Sequence, residues 1–101
     1  MKAELQPALH ELRLSVSDVG ANEAFNLVDG RCLHNLLELQ AALDSMNDDI
    51  FRFHVNDYKN DFASWVKYAM HEETLSGQLD STKDRMQHQL LVLKHLFSAM
   101  R

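Results

Sequence analysis

His54, Asp57 and Asp61 are spaced i, i+3 and i+7, so on one continuous helix they share a face. An imidazole beside two carboxylates can hold a divalent cation, or can act as a general base oriented by its neighbouring acid. His71, Glu72 and Glu73 follow closely enough to complete such a set. That pattern points to a small metal-binding protein or a hydrolase-like enzyme. The same residues admit a structural reading, which the local pattern favours: Asn60 and Asp61 as helix caps, with His54 buried and bonded to one of the acids. Trp65, Tyr68 and Phe62 could line a pocket for a flat ligand or a peptide, although in a domain this small such rings more often form the core. The expected ligand or partner surface is therefore His54, Asp57, Asn60, Asp61 and Trp65, with no catalytic residue, metal ligand or cofactor assigned.

Other chemistries find little support. Glycine occurs only at Gly20, Gly30 and Gly77, so no glycine-rich loop can cradle a phosphate. No Gly-x-Ser-x-Gly elbow is present, and Cys32, whose one neighbouring base His34 is expected on the opposite face if the strand continues, is assigned a packing role. A single cysteine permits no intrachain disulfide and no cysteine zinc site.

The elements that must position these residues are mainly helical. Leu5, Leu9, Leu12, Val16 and Val19 form a 4-3-4-3 stripe, which predicts a helix over 5–14 with Pro7 in its first turn. Leu12, Leu14 and Val16 also alternate with polar residues, leaving a strand open for that stretch. Ala24–Val28 and Arg31–Leu33 read as short strands around a tight Asp29-Gly30 turn. Asn35 with Glu38 resembles a capping box opening a helix over 35–45. Ile50–Val55 is a short helix or a strand. A further helix starts at Asn60 or Asp61 with Phe62, Val66, Ala69 and Met70 inward, and Gly77 reads as a stop or kink before Leu79. Ser81 with Asp84 opens the last helix, over 81–100, whose stripe is Met86, Leu90, Leu93, Phe97 and Met100. His88 and His95 fall off that seam, toward solvent.

Phe25-Asn26-Leu27-Val28-Asp29-Gly30-Arg31, Leu36-Leu37-Glu38-Leu39, Phe53-His54-Val55 and Lys59-Asn60-Asp61-Phe62-Ala63-Ser64-Trp65-Val66 together resemble a small uncharacterised prokaryotic domain family. The resemblance spans roughly residues 24–79. It implies an accessory module and supplies no activity and no role for any matching residue.

The whole chain, 101 residues with 46% hydrophobic and 25% charged composition, suits a single compact helical domain with a small β-hairpin around Asp29-Gly30. A formal charge of −5 disfavours nonspecific binding to nucleic acid or to an anionic membrane. No window has the apolar length of a membrane span, and residues 1–7 lack the apolar core of a signal peptide. With the lone cysteine, this makes a cytoplasmic protein the expectation. The leading functional expectation is a non-catalytic interaction or regulatory module. It forms a homodimer through Met86, Leu90, Leu93, Phe97 and Met100, and another protein is an alternative partner. A third expectation, an acidic inhibitor or nucleic-acid mimic, requires a continuous row of carboxylates.

Overall fold

Three asparagines start three helices. Each leaves its own backbone extended and turns its side-chain oxygen back onto the backbone N–H three residues on: Asn35 onto Glu38 at 2.8 Å, Asn47 onto Ile50 at 2.9 Å and Asn60 onto Ala63 at 3.0 Å. Each bond satisfies an N–H that the first turn of a helix leaves free. In the computed structural model, which describes residues 17–99, these helices are α1 (Leu36–Ser45), α2 (Asp48–His54) and α3 (Asp61–Tyr68). They are followed by α4 (Glu73–Asp80) and α5 (Arg85–Ala99), and preceded by a 3-10 turn at Ala21–Glu23 and two strands, β1 (Phe25–Asn26) and β2 (Cys32–Leu33). The helix expected over 5–14, the strand alternative beside it, and Met100 lie outside the described residues.

The hairpin is shorter and looser than a tight Asp-Gly turn. Its strands pair antiparallel, Phe25 with Leu33 and Asn26 with Cys32. Leu27 N–H donates to Arg31 C=O at 2.8 Å and Gly30 N–H to Leu27 C=O at 2.9 Å, which closes a three-residue loop. Gly30 supplies the positive φ (97°) that ends such a loop, where a side chain would be strained.

Ile50–Val55 resolves in favour of helix, and α2 stops at His54. Val55 is extended and bridges to Asn60 across a bend, so the chain reverses before α3 begins. At the other end of α3, His71 takes a left-handed φ of 60° and Glu72 N–H donates to Val66 C=O six residues back, a helix ending usually built on Gly. Gly77 does not stop the chain: α4 runs through it. A methyl group there would meet nothing within 4 Å, and the position is exposed. Gly77→Ala is therefore expected to stabilise the protein by about 0.5–1 kcal/mol through helix propensity, raising its melting temperature by a few degrees in thermal denaturation.

The last helix starts at Asp84, whose carboxylate accepts from Gln87 N–H at 2.9 Å, whereas Ser81 closes α4. Helix α5 lies along α1 and α4. Arg85 fixes one end by donating to the Leu43 carbonyl at 2.7 Å, and Gln89 bonds Asp44 at 3.0 Å. The core gathers Leu36, Leu39 and Leu43 from α1, Phe51 from α2, Phe62 and Val66 from α3, Leu75 and Leu79 from α4, and Val92 and Leu96 from α5.

Candidate functional site

The stretch from Phe51 to Val66 is the joint of the molecule, and its polar residues are spent on holding it. His54 is 3% exposed at the end of α2. Its Nε2 accepts the N–H of Val28 in the hairpin loop at 3.1 Å, and its Nδ1 lies 3.0 Å from Asp61 Oδ2 at the start of α3. A backbone N–H can only donate, so Nε2 is unprotonated and Nδ1–H donates to the carboxylate. One neutral tautomer thus ties three elements together. Phe25, Phe53 and Phe62 stand edge-on or tilted around the ring at 5.0–5.4 Å between centroids.

Asn60 is the second tie. Beyond capping α3, its amide donates to Leu79 C=O at 2.9 Å and to His88 Nε2 at 3.2 Å, so one side chain reaches α3, the end of α4 and α5. His88 is 0% exposed, not solvent-facing as the seam of the last helix implied. Its Nδ1–H donates to Asp84 C=O at 3.1 Å, and Phe51 packs edge-on against the ring. Burial holds its pKa below the ordinary histidine value, outweighing the opposing pull of Asp84. Because the unfolded chain then binds a proton more readily than the folded one, the contribution of His88 to stability is complete at neutral pH and is lost as the pH falls through the ordinary histidine range.

The three-residue face of His54, Asp57 and Asp61 does not form. Helix α2 ends at His54, so the helical spacing that would align the three is broken by the bend at 56–58. His54 and Asp61 meet. Asp57 turns away to an exposed pair with Lys83 at 2.7 Å, whose ammonium holds its carboxyl below the usual range. Lys59 Nζ, 2.9 Å from Asp61 Oδ2, neutralises the remaining acid. Trp65, expected on a ligand surface, is buried against Phe25 and donates its indole N–H to Glu23 C=O at 2.6 Å. Among the described residues no group of three or more His, Cys, Asp and Glu side chains is placed to hold a metal ion. His54 has no ring nitrogen left with which to act as a base, so this geometry does mechanical work.

Two other places stand out: a groove that was not legible in the sequence, and the stripe expected as the dimer interface. A groove of about 600 Å³ is lined by Val19, Leu36, Met70, Glu72, His95 and Ala99, away from the His54 joint. His95 is half-buried there with its Nε2 against the Glu72 carboxylate, again not free in solvent. The second place is the outer face of α5. His88, Val92 and Leu96 point inward, which turns the Met86, Leu90, Leu93 and Phe97 stripe outward. Met86 is 68%, Leu90 51% and Phe97 62% exposed, while Leu93 is half-buried. The spacing that marks this stripe was visible; what was not visible was His88, a polar residue that takes the inward position because Asn60 and Asp84 satisfy it.

Several exposed acids are paired one by one, Asp29 with Arg31, Asp57 with Lys83 and Asp44 with Gln89. No helix among the described residues is long and apolar enough to cross a membrane. No protein-family model, curated protein or solved structure matches the chain.

Proposed function

We propose that the protein is a non-catalytic interaction module that self-associates through the outward face of α5. The observation that carries this reading is the row Met86, Leu90 and Phe97, exposed on the side of α5 opposite its buried His88, Val92 and Leu96. The 4-3-4 spacing of Met86, Leu90, Leu93 and Phe97 is that of a two-helix seam, and such a seam is self-complementary. A two-fold axis between Leu90 and Leu93 sets Met86 of one copy against Phe97 of the other. It also places neutral Gln87 beside Lys94, so no like charges meet. The exposed part of the seam is one helix face about 17 Å long at 1.5 Å per residue. A face of that length and about one helix diameter, roughly 10 Å, wide falls well short of the roughly 800 Å² per partner of a stable interface, so the association is expected to be weak and concentration-dependent. The His54 joint supplies rigidity, since it binds the hairpin, α2 and α3 into one body on which α5 is mounted.

Backbone amide NMR on a dilution series tests the surface. Concentration-dependent shifts clustered on residues 86–97 are expected. Shifts clustered instead on the exposed turn around Tyr58, or none anywhere, would rule out α5 as the interface.

A further inference from the structure

Cys32 is the one cysteine of the chain, and it is exposed on β2. It was expected to pack inside; Asn26, its partner on β1, is exposed as well. Residues two apart along an extended chain share a face. His34 accordingly comes back to Cys32, with Nε2 3.8 Å from the sulfur. The other ring nitrogen, Nδ1, lies 3.0 Å from Glu38 Oε1. Glu38 is itself held twice: its N–H donates to Asn35, and its Oε1 accepts the N–H of His34 at 2.7 Å. A carboxylate only accepts, so the ring proton sits on Nδ1 and the lone pair of Nε2 faces the thiol. Thiol, base and orienting acid therefore stand in series, the order that nucleophilic sulfur chemistry uses. Arg31, the nearest cation in sequence, is engaged with Asp29 and Ser45.

We propose that Cys32, His34 and Glu38 form a reactive-thiol site that exchanges with small disulfides arriving from solvent. Cys32 is exposed and does not line the groove beside His95, and an open position suits a small, flexible co-reactant. The Cys32 proton passes to His34 Nε2 as the sulfur attacks one sulfur of the disulfide. A new S–S bond forms to Cys32, the old S–S bond breaks, and the departing thiolate takes the proton back from His34. Protein thiol plus small disulfide become a mixed disulfide plus one free small thiol, with the small disulfide as the oxidant. This site is independent of the α5 face.

The test is the rate at which the full-length chain forms a mixed disulfide with oxidised glutathione at neutral pH, read by mass spectrometry. Wild type is compared with His34→Asn and with Glu38→Gln, which keeps an oxygen for the His34 N–H. Wild type is expected to react on the order of tenfold faster than His34→Asn, with Glu38→Gln between them. In strong denaturant the three should react alike, because the effect belongs to the folded arrangement. Equal rates for the folded proteins would overturn the proposal, as would a difference that persists after unfolding.

Discussion

Asn60→Ala should cost about 3–5 kcal/mol of stability, a large share of what a domain of this size possesses. The loss has two parts. Removing the cap of α3 leaves Ala63 N–H without its acceptor, worth about 1 kcal/mol at a typical helix start. The larger part is the loss of two part-buried hydrogen bonds: Leu79 C=O keeps Thr82 N–H at 3.3 Å and loses about 1 kcal/mol, whereas His88 Nε2 is left without a donor at roughly 1–3 kcal/mol. His88 is fully buried, so water cannot replace the amide without opening the core. Asn60→Asp separates the parts: it keeps an oxygen for Ala63 but offers no donor to either acceptor, and should therefore remain strongly destabilised near neutral pH. Urea denaturation of the three proteins measures this. A cost near 1 kcal/mol for Asn60→Ala, with Asn60→Asp close to wild type, would mean that the residue is only a cap.

His54→Ala is expected to cost about 2–4 kcal/mol. The ring leaves a cavity among Phe25, Phe53 and Phe62, and Val28 N–H loses its acceptor. Asp61 keeps Lys59, so the carboxylate itself is not stranded. The local readout is specific: hydrogen exchange at the Val28 amide should become fast, while amides in α5 keep protection set by the lowered global stability. A joint and a metal site differ here. Added divalent cations should leave the melting temperature of wild type and of His54→Ala unchanged; a rise in wild type alone would make His54 a ligand.

The sequence made the helix starts legible because capping is local: Asn35 with Glu38 and Asn60 with Ala63 are within four residues, and the side chain that fits each start is visible on inspection. The mainly helical class followed from the apolar spacings of Leu36, Leu39 and Leu43, and of Phe62 and Val66. What was hidden depends on contacts across long separations. His54 reaches Val28 over 26 residues and Asn60 reaches His88 over 28, and nothing in the neighbourhood of either announces its partner. Periodicity could not orient α5, since the helix is apolar on two sides and the polar ring that goes inward is made tolerable by partners elsewhere. Gly77 read as a breaker because its propensity is poor, yet packing through Leu75, Ser76 and Leu79 carries α4 past it. Cys32, His34 and Glu38 lie within seven residues and were legible in principle; the signal was the i, i+2 spacing on an extended strand, followed by the turn of a capping box.

Self-association through α5 is tested most directly by sedimentation equilibrium of wild type and Leu90→Glu over a wide concentration range. Leu90 is half-exposed, so the substitution places a charge on the seam without entering the core. The wild-type mass should start at the 11.6 kDa of one chain and climb toward twice that value, while Leu90→Glu stays at one chain throughout. A wild-type mass that remains at one chain at every concentration, or a Leu90→Glu mass that climbs equally, would contradict it.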